Sequence, residues 1–168
     1  MDVCKISRMH EMWILSCVLT LQLCNVSVAV GVDAELDDEL SVDDVSQCED
    51  RIVSQWRELS VDEITQLPDR VDEILRPLGL QTRLLVVERA NSLALIFICM
   101  TLSALLSLRH QWSSLRLRDI VQSLFRFLTE STSVYVKRLT WLASDYERCV
   151  QFFNYPQGKL ILAVGSNR

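Results

Sequence analysis

The sequence predicts a mostly α-helical protein in which a single transmembrane helix joins a short lumenal helical repeat to cytosolic amphipathic helices. Three observations lead there. From Ala90 to Leu108 the chain runs ANSLALIFICMTLSALLSL without a charge, between Glu88-Arg89 and Arg109-His110. At about 1.5 Å per helical residue such a stretch reaches the thickness of a hydrocarbon core. Residues 40–58 and 59–77 then align without a gap as two copies of one unit. Finally, apolar residues from Leu117 to Phe153 recur every three or four positions, the helical period.

Taken in order, the chain opens like a secretory signal peptide over residues 1–29. Lys5, Arg8 and His10 precede the apolar centre Trp13 to Cys24, and Ser27-Val28-Ala29 places small residues for cleavage after Ala29. Trp13 to Gly31 is equally free of charge, so an uncleaved second span is the alternative. Residues 30–83 form an acidic region. From Asp33 to Arg83 fifteen acids face five arginines, a net −10, whereas Arg109 to Arg168 carries nine bases and four acids, a net +5. Basic residues flank membrane spans on the cytosolic side. The acidic region is therefore expected to be lumenal and the C-terminus cytosolic, in the endoplasmic reticulum or another secretory-pathway membrane.

Within the acidic region, the two 19-residue copies share Leu40/Leu59, Ser41/Ser60, Val42/Val61, Asp43/Asp62, Gln47/Gln66, Asp50/Asp69, Arg51/Arg70 and Arg57/Arg76. Each serine is followed three residues later by an acid, the pattern that caps a helix N-terminus. A duplicated unit of two short helices follows, the second helix of each copy starting near Asp50 or Asp69. Two copies bury little surface alone, so a partner or self-association is expected to order them. Cys48 stands alone among the cysteines of this region and is the candidate for an intermolecular disulfide.

The transmembrane helix is placed at residues 84–108. Cys99, Ser103 and Ser107 repeat every fourth residue and would line a small-residue helix–helix interface. The basic region, residues 109–168, carries its polar side through Arg118, Gln122, Arg126, Lys137 and Arg148, and the polar run Thr129 to Ser133 breaks its helix. Arg116, Arg118, Phe125, Arg126, Lys137 and Trp141 are the expected membrane-surface contacts, with bases at the headgroups and rings in the interface. Docking against a partner helix is the other reading of the same face.

Chemistry is sparse. The two histidines, His10 and His110, and the four scattered glycines assemble no metal site, nucleophile–base pair or phosphate-cradling loop. No enzyme, cofactor or metal is expected, and the modest basic tail gives no reason to expect nucleic acid. The expected function is a non-enzymatic interaction or adaptor subunit of the secretory pathway. Its partners are membrane lipid and a protein, which the sequence allows to be another copy of itself. A membrane-active or pore-forming homo-oligomer, using the amphipathic helix after the span, is the competing expectation.

Overall fold

The computed structural model describes residues 27–37, 41–61 and 68–155. Strand β1 (Val28–Leu36) leads to helix α1 (Val42–Val61), helix α2 (Asp69–Leu75) and a 3-10 turn at Arg76–Leu78. A hairpin of β2 (Thr82–Arg89) and β3 (Leu93–Cys99) follows, then α3 (Leu102–Ser113), α4 (Arg116–Thr129), β4 (Val136–Thr140) and α5 (Ala143–Asn154).

The apolar run is where expectation and structure part. Ala90 to Leu108 is not one helix but a hairpin turn, a strand and the first half of a helix. β3 is an inner strand between β1 and β2, with one face buried in the core and the other partly buried, and all seven of its residues are apolar. Leu93, Leu95, Phe97 and Cys99 face the helical layer, and Ile98, pointing the other way, is still only 5% exposed. Thr101 then ends the strand segment by capping α3: its hydroxyl accepts the Ala104 amide at 3.1 Å and donates to Gln81 Oε1 at 2.7 Å. Two short apolar elements in series mimic one long one when charge content alone is counted. Among the described residues no helix is long and apolar enough to cross a membrane. The transmembrane helix at 84–108, the mostly α single-pass architecture, and the lumenal-to-cytosolic orientation and secretory-membrane location derived from them are overturned together.

The sheet, in order β2-β3-β1-β4, is antiparallel throughout. With α1 and α2 between β1 and β2, and α3 and α4 between β3 and β4, β3 slots between the parallel strands β1 and β2, a split β-α-β arrangement. β1 shows why. Val28, Val30, Val32, Ala34 and Leu36 alternate with Ala29, Gly31, Asp33 and Glu35, the period of a half-buried strand. From the sequence this segment reads as the end of a leader and the start of the acidic region. The leader's residues 1–26 lie outside the described residues, while Val28 and Ala29, its expected last two, pair with Cys99 and Ile98.

The first repeat copy forms one continuous helix, α1, rather than two. Ser41 caps it as the pattern requires, accepting the Asp44 amide at 3.3 Å and donating to its carboxylate at 2.6 Å. Ile52, Val53 and Trp56 enter the core, where the Trp56 indole donates to the Leu85 carbonyl at 3.3 Å, beside a bulge in β2. Of the second copy, residues 62–67 lie outside the described residues, and Asp69 opens α2. α4 is the most amphipathic element: Leu117, Val121, Leu124, Phe125 and Leu128 are buried against the sheet and α1, α2 and α3. Each such side chain contributes roughly 1.5–3 kcal/mol of burial. α4 ends at Thr129, with Glu130 in the left-handed region at φ 52°. β4 pairs with β1 over Asp33 to Leu36 alone, and α5 covers the start of β1, with Cys149 Sγ 3.7 Å from the Ala29 carbonyl.

Candidate interaction groove

The functional candidates named from the sequence are dispersed by this fold. Cys99 is buried at the end of β3, whereas Ser103 and Ser107 are exposed on α3, so the three share no helix face. Phe125 is fully buried in the core and Trp141 is 3% exposed, which removes the two rings expected at a membrane surface. The reason is the alternation of elements: α4 and the residue after β4 turn these side chains inward against different neighbours. Arg116 is exposed at the first position of α4, and Arg118 is half-buried beside Asp119 at 3.5 Å. Arg126 donates through Nε to the Val134 carbonyl at 3.0 Å and lies over the Tyr135 ring, while Lys137 pairs with Glu35 at 3.6 Å. Cys48 is a free, half-buried thiol on α1. Burial and the neighbouring Glu49 push its pKa up, against a smaller opposite effect of Arg51.

What the fold does assemble is a groove of about 770 Å³ at one end of the sheet. Its origin is a mismatch of strand lengths. β1 pairs with β3 only as far as Ala34↔Leu93 but with β4 as far as Leu36↔Val136, so Glu35 and Leu36 have no strand on their β3 side. The first half of α1 and the turn Ala90–Ser92 wall the resulting opening.

The floor is built from charge. Glu49, on α1, is 6% exposed and carries an ion pair with Arg89 from the end of β2. The second Glu49 oxygen accepts from the Ser92 hydroxyl at 2.7 Å. Arg89 reaches Asp50 at 3.6 Å and the Ser46 hydroxyl at 3.5 Å as well. A buried carboxylate needs such partners, since desolvation otherwise costs several kcal/mol. On the opposite wall Glu35 accepts from Arg138 at 2.6 Å. Asp33, also lining the groove, is exposed and has no charged partner among the described residues. The groove therefore presents one uncommitted carboxylate and an open strand edge.

Of these residues the sequence marks only Arg89, as a charge bounding the apolar run, and gives no sign of Asp33, Glu35, Glu49, Ser92 or Arg138 as a site. Glu49 lies 40 residues from Arg89, and in the acidic region it is one acid of fifteen. The alternation in β1 was the available signal, since it places Asp33 and Glu35 on one side of a strand.

A second arginine environment lies elsewhere, where α3 meets α5 and the end of β4. The Arg109 guanidinium sits over Trp112 at 4.2 Å, Tyr146 at 4.6 Å and Trp141 at 5.1 Å, and its buried Nη1 has no hydrogen-bond partner. Trp112 donates to the Leu139 carbonyl at 3.2 Å. Cys99, near Cys149, has its pKa pushed up to about 11, chiefly by burial. Among the described residues no group of three His, Cys, Asp or Glu side chains is placed to hold a metal. No family model, curated protein or solved structure matches the chain.

Proposed function

We propose that the protein is a non-enzymatic interaction module that receives an extended segment of a partner protein in the groove at the end of the sheet. The observation that carries this reading is the unpaired β3-side edge of Glu35–Leu36 beside Asp33. Main-chain groups on an open strand edge bind an extended peptide without regard to sequence, and adjacent side chains select it. Asp33 selects a lysine or arginine. The exposed Val42 and half-buried Val45 on α1 accept an apolar neighbour. The part-buried Glu49–Arg89 pair forms the floor and is internally satisfied, so it shapes the groove rather than competing for ligand.

The test is selection of a displayed random peptide library against the full chain, repeated on Asp33→Lys. Enrichment of segments with a basic residue next to an apolar one, and affinity at least ~tenfold weaker for D33K, supports the reading. Failure to enrich any motif, or enrichment indifferent to D33K, overturns it.

A further inference from the structure

A separate, smaller groove of about 300 Å³ opens where α3 passes into α4, against the outer edge of β4. Trp112, Leu115 and Leu139 supply its apolar surface and Arg118, Lys137 and Arg138 its charge, with no acidic residue in the lining. Leu115 is unusual twice over. Its φ is 66°, in the left-handed region that costs a non-glycine residue roughly 1 kcal/mol, and its side chain is 53% exposed. A glycine would relieve the backbone, and folding alone gives no reason for an apolar side chain there.

The complementary feature is at the start of α1. Val42 is 85% exposed and is followed by the exposed acids Asp43 and Asp44, the latter engaged by Ser41. An apolar tip with an adjoining acid matches an apolar slot rimmed by three bases that keep a net positive charge, since Lys137 and Arg138 share the single carboxylate of Glu35 and Arg118 lies 3.5 Å from Asp119. The two features are also neighbours, because Arg138 lines both this groove and the larger one that Val42 borders. A two-fold interface requires each copy to offer both a knob and its matching hole. Joining β4 edges is disfavoured: the Val136 amide is taken by Gln122 Oε1 at 3.2 Å and the Leu139 carbonyl by Trp112.

We propose that the chain forms a two-fold homodimer in which Val42 and Asp43 of each copy enter the Leu115–Arg118 groove of the other. This goes beyond the partner-segment reading and does not depend on it, since Asp33 lies outside the smaller groove; because Val42 also lines the larger groove, the dimer and a bound segment compete for it.

The experiment is sedimentation velocity of the full chain over a concentration series bracketing the micromolar range, for wild type, Arg118→Glu, Asp43→Lys, the double variant and Leu115→Gly. Each single reversal is expected to weaken the dimer by ~tenfold or more, and the double, which restores opposite charges, to recover to within about threefold of wild type. Leu115→Gly is expected to raise the melting temperature while weakening the dimer, which separates loss of contact from loss of fold. A wild-type monomer at every concentration overturns the proposal. So does a dimer untouched by both single reversals, or a double variant no better than its parents.

Discussion

Arg89 is exposed and Arg109 half-buried, and the fold engages the two guanidinium groups in opposite ways. Arg89 sits among carboxylates, with Glu49 buried beside it and Asp50 farther out. Arg109 makes no ion pair among the described residues and lies against three aromatic rings, held by the attraction between a cation and the negative faces of the π-systems. A carboxylate pair is directional and leaves a costly orphan when broken, whereas a ring cage is made largely of apolar area and tolerates loss of the charge. Arg89 accordingly shapes an opening, and Arg109 fastens α3, α5 and the end of β4 into a closed wall.

The largest way to break this contrast is Trp141→Ala, which removes a ring buried against both Trp112 and Tyr146. We expect about 4 kcal/mol of destabilisation by chemical denaturation, from lost burial plus the cavity left behind. Trp141→Phe sharpens the point, because the buried indole N–H has no acceptor. It should cost far less than the alanine, about 1 kcal/mol.

Next comes Arg89→Ala, which strands Glu49 in a buried position with the Ser92 hydroxyl as its remaining partner. About 3 kcal/mol is expected, the low end for a broken buried pair because Arg89 is itself 38% exposed. The paired change Arg89→Met with Glu49→Leu should recover most of it, and a double variant as unstable as Arg89→Ala would show that the pair does more than satisfy itself. Arg109→Lys keeps the charge but loses planar stacking, and about 1 kcal/mol is expected.

Alkaline titration probes the wall that α5 completes, where Cys99 is buried. Its folded pKa is raised, so the native state holds the proton after the unfolded chain has released it. The stabilising contribution is fully present below the ordinary thiol pKa of 9.0 and is lost as pH rises through about 11. Cys99→Ala should flatten this part of the stability profile, and an unchanged slope would refute the assignment. The smallest effect expected is from Glu130→Gly, which relieves the left-handed φ at the end of α4 and gives up only the exposed 3.6 Å contact with Arg51. A gain of about 0.5 kcal/mol should appear in the melting temperature.

Local features of this protein were legible before its fold. Ser41 caps a helix, the helical face through Leu117, Val121, Leu124 and Leu128 is buried, and the polar residues after Thr129 end that helix. These depend on neighbours three or four residues apart, and the chain carries that information itself. β1 was equally legible in its alternation and was missed because its two acids were counted as tail. The Ala90–Leu108 run was different in kind. An inner strand of apolar residues and a following helix leave the same apolar string as a membrane span, and Thr101 marks the junction.

The grooves were not legible at all. Glu49 meets Arg89 because α1 lies against β2, and Trp112 and Trp141 meet because α3 and the end of β4 converge on Arg109. Such encounters span 29 to 40 residues of sequence in the cases of Trp56 with Leu85 and Glu49 with Arg89. Composition and periodicity alone determined the cap of α1 at Ser41 and the buried face and end of α4, but not that β4 interrupts the helical pattern between Leu117 and Phe153. Which face meets which, where strand lengths fall out of step to leave an opening, and which charges end up paired or caged were decided by tertiary packing. The physical reason is that burial rewards a side chain for being covered but does not specify by what, so partners are chosen only when the whole sheet and its helices close together.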